Sequence, residues 1–248
     1  MTIALAGVEP IVAQFSALHQ TDQTKERREA LARFEKRGFP TLKNEAWRYT
    51  NVSSIQNGVF APAEATDVAV GTFPNWADYV LVYINGVFSN EHSKLAGLPT
   101  GANMNVGFAS TYDVEGPEVE SPFVDLNQAM SNEGYKLNID AGLNVEGVIL
   151  VRFIGAGDDV AYHTRSHIIA GAGSNATVVE QFVGEGAYFS NTATHVELHE
   201  GAVLNHLRIQ TDSLSASNIG NTVVKVRDKA RYNNFCFNMG AKLARNEI

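Results

Sequence analysis

Hydrophobic positions in the first fifty residues follow a helical period. Ile11, Phe15 and Leu18 lie four and three residues apart, the spacing that places side chains on one buried helical face. Asp22 is a candidate N-cap for a second helix, and the Gly-Phe-Pro sequence at 38–40 is a typical helix end. The pattern therefore predicts two helices in this part of the chain.

The second of these helices is strongly basic. Glu29 precedes Arg33 by four residues, the favourable order for a surface ion pair. Because Glu26, Glu29 and Glu35 lie among the basic residues, we interpret them as a solvated helix face rather than a docking surface for an acidic partner. They are Lys25, Arg27, Arg28, Arg33, Lys36 and Arg37.

Residues 51–140 show a mixed pattern. The β-branched and aromatic run at 79–84 ends at Asn85-Gly86, and an apolar pair follows at 87–88. Asn-Gly supplies the positive φ angles of a type I′ turn, so this stretch predicts a β-hairpin.

Weaker signals surround the hairpin. The small residues at 61–65, with Pro62 among them, predict a linker. The density of proline and glycine at 99–122 predicts irregular connections, and the run at 125–130 predicts a short helix.

From residue 143 onward, strand-like runs alternate with small, turn-forming residues. Glycine clusters near 156, 172, 185 and 201 are about 13 to 16 residues apart, and no helical period lies between them. This argues against βαβ crossovers and leaves a sandwich, a cupin-like barrel or a β-helix. The runs lie at 148–154, 167–170, 177–183, 195–198, 203–210, 222–227 and 232–238.

Alternation within two of these runs separates an apolar face from a polar face. We assign the apolar face of each run to the core and the polar face to solvent or to a groove. The apolar residues are Val196, Leu198, Leu207 and Ile209, and the polar ones are His195, Glu197, His199, His206, Arg208 and Gln210.

Composition narrows the classes of protein. The chain has 248 residues, of which 44% are hydrophobic and 19% charged, which argues against disorder. Its net charge of −8 and lack of a dominant basic patch argue against nucleic acid as a partner. No signal peptide and no apolar run of membrane-spanning length is evident. The single cysteine excludes a disulfide framework within the chain. We expect a soluble, cytoplasmic protein.

Histidine spacing suggests a metal site but does not support one. His195, Glu197 and His199 could present ligands along one strand, with His206 on a neighbouring strand, as in a cupin-like metal-dependent enzyme. Four residues of extended chain span about 13 Å, too far for two imidazoles to share an ion whose ligand bonds are about 2 Å. We therefore expect no metal site and interpret the histidines as polar residues of a solvent face. The same interpretation covers a second pair, His163 and His167.

Cys236 lies between Phe235 and Phe237 and by alternation faces the opposite side of its strand. A nucleophilic or sulfur-carrying role needs a thiol pKa lowered by nearby cations, and the nearest in sequence are Arg231 and Lys242. We interpret Cys236 as a small filler of apolar character and expect no catalytic residue.

No other motif indicates catalysis. The Gly-Ala-Gly sequences at 155–157 and 171–173 precede neither a helix nor a Gly-Lys-Ser/Thr sequence, which argues against a nucleotide site. The acidic residues form no glycosidase or lyase pair, and no secretion signal accompanies them, so a β-helix lyase or hydrolase is disfavoured. We interpret most of these acids as turn or surface residues: Asp158, Asp159, Glu180, Glu185, Glu197 and Glu200.

The stretch at 39–50 predicts an aromatic anchor. Trp47 and Tyr49 follow a capped turn, and we expect them to pack the helical part onto the β part.

Three ordered stretches resemble SufD, a component of the SufBCD iron–sulfur cluster assembly machinery. Residues 39–50, with Pro-Thr and Asn-Glu-x-Trp-Arg-Tyr-Thr, resemble the N-terminal signature of SufD. Residues 185–210 resemble the first coils of its core. Residues 240–248 resemble a segment that in SufD is followed by much more of the chain; their sequence is Gly-Ala-Lys-Leu-Ala-Arg-Asn-Glu-Ile.

The resemblance implies a mainly β fold: a right-handed parallel β-helix preceded by a small helical region, without the family's C-terminal helical domain. The expected division is a helical region at 1–58, a mixed connecting region with a hairpin at 59–140, and the first, incomplete coils of the β-helix at 141–248.

It also implies a truncated, non-catalytic scaffold that works with a SufB-like paralogue and a SufC-like ATPase. No cofactor is expected on this part of the chain, because the iron–sulfur cluster is assembled transiently on the whole complex. The cofactor-binding residues stay unknown, since none of the family's cluster-site residues matches a position here. An open last coil further predicts self-association through its unpaired edge, or a disordered final coil.

Overall fold

The computed structural model describes residues 7–18, 24–64, 66–108 and 121–248. The protein is mainly β, with a β-solenoid of about four turns preceded by a few helices. Of the three architectures left open by the strand spacing, the β-helix is therefore confirmed.

The solenoid is built from two parallel sheets, because each coil contributes one strand to each sheet. Sheet A has the order β13-β11-β9-β7-β5-β4, and sheet B the order β12-β10-β8-β6-β2-β3. The strands that precede the coils are β2 (Tyr79–Ile84), β3 (Val87–Phe88), β4 (Ala102–Phe108) and β5 (Glu133–Ile139). The coil strands are β6 (Asn144–Ala156), β7 (Val160–Ala170), β8 (Asn175–Glu185), β9 (Phe189–Leu198), β10 (Val203–Thr211), β11 (Ser217–Val226), β12 (Arg231–Asn238) and β13 (Leu243–Glu247).

The repeat of the solenoid is visible in the strand register. Val178, His206 and Asn234 are register partners in successive strands of sheet B, and 28 residues separate each from the next. The glycine clusters counted in the sequence lie about half a repeat apart. Their spacing therefore marks the two corners of each coil, where the chain passes from one sheet to the other.

Earlier strands extend both sheets. In sheet B, β2 (Tyr79–Ile84) pairs in parallel with β6 and antiparallel with β3 (Val87–Phe88). Asn85 and Gly86 between them have φ angles of 52° and 79°, so the predicted hairpin is confirmed. In sheet A, β5 (Glu133–Ile139) pairs in parallel with β7.

Two predicted connections are regular structure instead. Ala102–Phe108 is a strand, β4, which pairs antiparallel with β5 over seven residues, so the prediction of irregular chain there is wrong. Within the predicted linker, Ala61–Pro62 forms a short strand, β1, that pairs in parallel with β7. Cross-strand hydrogen bonding overrides the local proline and glycine content in both places. The rest of the 99–122 prediction lies partly outside the described residues.

Four α-helices and one short 3-10 helix (Glu45–Trp47) lie in the described part of the chain; the α-helices are α1 (Val8–Leu18), α2 (Lys25–Arg37), α3 (Ser53–Gln56) and α4 (Pro122–Met130). The predicted cap Asp22 lies outside the described residues. Thr24 caps α2 through its hydroxyl, which accepts from the Arg27 amide at 3.3 Å. Gly38, with a φ of 67°, ends α2 as predicted.

The interpretation of the basic face of α2 as solvated holds for part of it only: Lys25, Arg28, Lys36 and Arg37 are exposed, whereas Arg27 is buried and Arg33 half-buried. Arg27 is 2% exposed and donates to the Ala129 and Ser131 carbonyls at 2.9 and 2.5 Å. Arg33 and Arg37 pair with the buried Asp125 carboxylate at 2.7 and 2.6 Å. These guanidinium groups therefore fasten α2 to α4, and the partner that they meet is internal.

Apolar clusters hold the layers together. One fills the solenoid between the sheets, and a second packs the helices on the outer face of sheet A through Phe34, Phe123, Phe189 and Ile219. A third covers part of the outer face of sheet B. Among the described residues, no helix is long and apolar enough to cross a membrane.

Candidate functional site in the solenoid interior

The inner face of the solenoid changes from apolar to polar along its strands. In β10, Leu204 belongs to the central apolar cluster, whereas His206, Arg208 and Gln210 on the same face form a buried polar row. Glu180 of β8 and Arg208 are register partners. A row of charged and hydrogen-bonding side chains thus lies between the two sheets.

Sequence alternation found the two faces of β10 but assigned them the wrong way round. Leu207 and Ile209 lie on the outer face, packed against the cluster outside sheet B, and His206 and Arg208 are 1% and 3% exposed. The period shows which residues share a face, but the partners of each face come from other coils. For β9 the assignment of Val196 and Leu198 to the core is confirmed.

The Glu180 carboxylate is the centre of this row and is 1% exposed. The hydroxyls of Tyr135 and Thr194 donate to its Oε1 at 2.8 and 2.9 Å. His206 Nε2 lies 3.4 Å from Oε2 and Arg208 Nη1 lies 4.0 Å from it. The His206 contact is a close approach of Nε2 to the carboxylate without the alignment of a hydrogen bond. The interpretation of Glu180 as a turn or surface residue is therefore wrong.

The pKa of Glu180 reflects these contacts. Burial raises it, but the proximity of His206, the positive charge of Arg208 and the Tyr135 hydroxyl together lower the pKa of Glu180 to about 2. The tyrosine responds in the opposite sense, because burial and the adjacent carboxylate raise the pKa of Tyr135 well above its usual value. Glu180 is thus an ionised group at neutral pH and Tyr135 a neutral donor.

Arg208 is held on several sides. Its guanidinium lies 3.7 Å from the centroid of the Phe182 ring and donates to Asn218 Oδ1 at 2.7 Å. Gly220 leaves the space for it, because a Cβ at that position would lie 2.7 Å from Arg208 Cζ. Burial lowers the pKa of Arg208, and the negative charge of Glu180 opposes that change.

A second buried carboxylate, Asp212, extends the polar row. It accepts from the Tyr188 hydroxyl, from Gln210 Nε2 at 2.8 Å and from Asn218 Nδ2 at 2.9 Å. Asn218 also accepts from Arg208, whose guanidinium lies 4.0 Å from Glu180, so hydrogen bonds and one charge contact connect the two carboxylates. Burial and the nearby Asp212 raise the pKa of Tyr188.

The network continues into the last coil. The Tyr232 hydroxyl lies 2.8 Å from His206 Nδ1, and Cys236 is the register partner of Arg208. Cys236 therefore shares the inner column of Glu180 and Arg208, with its Sγ 3.6 Å from Asn238 Oδ1. The predicted opposition to Phe235 and Phe237 is confirmed, but its neighbours are polar, unlike those of an apolar filler.

The structure separates the histidines that a cupin-like site would bring together. His195 lies on the outer face of sheet A, and His206 lies on the inner face of sheet B. His199 is exposed at a corner. No group of three or more His, Cys, Asp or Glu side chains within residues 7–18, 24–64, 66–108 and 121–248 is arranged to hold a metal ion.

The solvent-face interpretation of the remaining histidines is also wrong. His163, His167 and His195 are 8%, 4% and 9% exposed. They lie on the outer face of sheet A, where α4 and the N-terminal helices pack. His167 and His195 are register partners, a juxtaposition that sequence spacing did not indicate.

The other acidic candidates fit their predicted places. Asp158 accepts from the Ala187 amide at a corner, at 2.7 Å, and Asp159 has a φ of 53°. Glu200 pairs with Lys229 at 3.3 Å on the surface. The Gly-Ala-Gly sequences at 155–157 and 171–173 run from strand ends into corner turns that lead to the next strand.

Trp47 is the predicted anchor, and Tyr49 is not. Trp47 is 5% exposed and packs 5.2 Å from Phe123 between ring centroids, whereas Tyr49 is 91% exposed. Arg245 of β13 covers the Trp47 ring. Trp47 thus joins the helical region to the solenoid.

Comparison with known proteins agrees with this architecture. Residues 18–151 match a model of the SufBD protein N-terminal region, and residues 153–248 match a model of the SufBD core domain of the SUF iron–sulfur cluster assembly system. An iron–sulfur cluster assembly SufBD family protein of Synechocystis sp. is 25% identical over 239 residues, covering 85% of this chain and 52% of the relative. The chain spans about half the length of this curated relative. With the N-terminal and core models matched in order along the solenoid and its helices, the chain belongs to the SufBD family of iron–sulfur cluster assembly proteins.

Proposed function

We propose that this protein is a SufD-type, non-catalytic scaffold component of iron–sulfur cluster assembly. The observation that carries the proposal is the ordered match of the two SufBD models to residues 18–151 and 153–248. The choice of SufD over SufB rests on the resemblance at 39–50 and 240–248. In the structure these two stretches touch, since Arg245 lies over the Trp47 ring.

The solenoid interior supports a scaffold rather than an active site. Glu180 is surrounded by Tyr135, Thr194, His206 and Arg208, so its charge is balanced within the protein. A buried ionic network whose members pair with one another favours one fixed arrangement of neighbouring coils. Rigidity of this kind is what a platform for assembly requires.

The proposal extends to partners and cargo. A scaffold of this type works in the cytoplasm with a SufB-like paralogue and a SufC-like ATPase, and the iron–sulfur cluster is cargo of the complex rather than a cofactor of this chain. The matched part of the curated relative is only about half of its length. Partner binding is therefore a property to be tested on the whole protein.

The test is co-purification. The complete gene is co-expressed with genes for a SufB-like protein and a SufC-like ATPase, with an affinity tag on one protein at a time. We expect a ternary complex whose visible absorption shows a cluster after anaerobic addition of iron and sulfide. A folded protein that retains neither partner would overturn the scaffold proposal.

A variant sharpens the test. Tyr49→Ala removes a side chain that is 91% exposed and is expected to leave complex formation unchanged. If Tyr49→Ala abolishes binding without unfolding the chain, the signature stretch at 39–50 is itself a docking surface, and its structural role at Trp47 is secondary.

A further inference from the structure

A second group of basic and polar side chains lies outside the solenoid, on the outer face of sheet A. Arg165, His167 and His195 are neighbours there, because His167 and His195 are register partners and Arg165 is two residues before His167 on the same face of β7. Adjacent strands lie about 4.8 Å apart, so the two imidazoles and the guanidinium point from one small area.

Arg165 has an unusual electrostatic environment. Its Nη1 donates to Asn127 Oδ1 at 3.4 Å, and among the described residues no carboxylate lies within ion-pair distance of it. The Asp125 carboxylate on the same helix, α4, is already paired with Arg33 and Arg37. Burial, and then the positive charges of Arg33 and Arg27, lower the pKa of Arg165 to about 10. A half-buried cation repelled by other cations is stabilised by an anion.

The histidines contribute neutral donors. Burial is the main cause that lowers the pKa of His167 to about 4 and of His195 to about 3, so both rings are uncharged at neutral pH. Each neutral imidazole carries one N–H donor. His195 is 9% exposed, and neither of its ring nitrogens has a hydrogen-bond partner; His167 Nδ1 has none either. Buried polar atoms without partners are uncommon in folded proteins.

Charge decides between a cation and an anion for this group. Two neutral imidazoles are ordinary metal ligands, but Arg165 is positive and Lys136 is the register partner of His167 on the opposite side from His195. Among the described residues, the acidic group whose charge acts on His167 is Glu197, and it is paired with Lys225 and Arg227 at 3.4 and 3.8 Å. The positive surroundings disfavour a metal ion and favour an anion.

We propose that Arg165, His167 and His195 form a binding site for a phosphate-class oxyanion. The three donors lie side by side on one face of two neighbouring strands, and a tetrahedral anion with several oxygens can accept from more of them than a carboxylate with two. Arginine is the side chain that binds phosphate oxygens in a bidentate manner. The anion is free phosphate or the phosphoryl group of a small molecule, since both present the same oxygens.

The experiment measures binding of inorganic phosphate to the purified chain by titration calorimetry, with chloride at equal ionic strength as the blank. We expect saturable binding that weakens about tenfold or more in Arg165→Gln, because a charge-assisted hydrogen bond is lost. The matched control is Arg231→Gln, which removes the same charge from an exposed position and is expected to bind like the unaltered chain. His195→Gln serves as a second variant should Arg165→Gln fail to fold.

The outcomes separate the alternatives. A nucleoside monophosphate that binds more tightly than phosphate, and still depends on Arg165, identifies a phosphomonoester as the source of the oxyanion. Equal binding of phosphate to the unaltered chain, Arg165→Gln and His195→Gln would overturn the site. So would no binding of phosphate together with binding of a glutamate-rich peptide, which would make the patch a protein-docking surface. Neither result bears on partner binding by the scaffold.

Discussion

The Arg245 guanidinium lies 4.0 Å from the centroid of the Trp47 ring. The same guanidinium donates to Thr50 Oγ1 at 3.0 Å and to Glu247 Oε1 at 2.6 Å. A residue near the end of the chain thus closes over an indole near its start. The helical region and the last described coil are therefore joined directly, and the stability of one depends on the other.

Replacing that indole tests the connection. Trp47→Ala removes a ring that is 5% exposed and packs on Phe123, and we expect the free energy of unfolding to fall by about 3–5 kcal/mol. Urea unfolding followed by circular dichroism measures the change. Tyr49→Ala, at a position that is 91% exposed, is the control and is expected to stay within about 0.5 kcal/mol of the parent. Similar losses in both variants would contradict the anchor.

The Glu180 network predicts a large effect of a single carboxylate. Glu180→Ala leaves Arg208 buried beside an empty space and His206 without its acidic neighbour, so we expect a loss of about 3–5 kcal/mol in unfolding free energy. Glu200→Ala breaks a surface pair with Lys229 and is expected to cost at most about 1 kcal/mol. The ratio of the two losses, measured by urea unfolding, is the test; near-equal losses would show that the interior charges contribute no more than a surface pair.

The burial of the histidines predicts that stability depends on pH at values above those at which carboxylates usually titrate. The pKa values of His167 and His195 are lowered to about 4 and about 3 from an ordinary 6.5. Between the native and the unfolded pKa values, the unfolded chain binds protons that the native imidazoles do not. The free energy of unfolding therefore falls as the pH decreases from 6.5 toward 4. Unfolding free energy measured across this window should decline less steeply in His195→Gln. An unchanged slope would mean that His195 is protonated in the native protein.

Glu180 acts in a lower window. Its pKa is lowered to about 2 from 4.5, so its contribution is present above pH 4.5 and is lost as the pH falls toward 2. Glu180→Gln should therefore flatten the acid limb of the stability profile while leaving the histidine limb unchanged. The parent and Glu180→Gln proteins are compared by thermal melting from pH 5 downward; parallel acid limbs would contradict the lowered pKa.

The hairpin residue Asn85 combines two roles. It has a φ of 52°, and its side chain donates to the Glu64 and Ala156 carbonyls and accepts from the Ala156 amide. Asn85→Ala is expected to cost about 2–4 kcal/mol, since hydrogen bonds and a tolerated left-handed conformation are lost together. Asn90→Ala, at an exposed position in the loop that follows, provides the comparison in the same urea assay. A loss no larger than that of Asn90→Ala would show that the side-chain bonds are replaced by water.

The general architecture was accessible from the sequence because its period is local. Glycine clusters and strand-like runs mark the corners and sides of each coil, and the Asn85-Gly86 turn marks the hairpin. The stacking of coils at about 4.7–4.9 Å depends on residues far apart in the sequence. So does the question of which face of a strand points into the solenoid. Leu207 and His206 alternate in the sequence, but only contact with Glu180 and Tyr232 puts the histidine inside.

The buried charges show a second limit of sequence reasoning. Arg27 has the environment of a surface residue when its helix is read alone, because three glutamates are close in sequence. Its actual partners are the carbonyls of Ala129 and Ser131, more than one hundred residues away. Residue type predicts solvent exposure well for an isolated element and poorly where a helix C-terminus offers unpaired carbonyl groups.

The 28-residue register between Val178, His206 and Asn234 restricts how the length of this chain can vary. Deleting one residue near the start of β10 would place Leu207 and Ile209 on the inner face of the solenoid and His206 and Arg208 on its outer face, because side chains alternate with a period of two. Glu180 would then face hydrocarbon. We therefore expect insertions and deletions to be tolerated at the corners, where a change in length does not move strand side chains from one face to the other. Within the strands we expect them to be excluded.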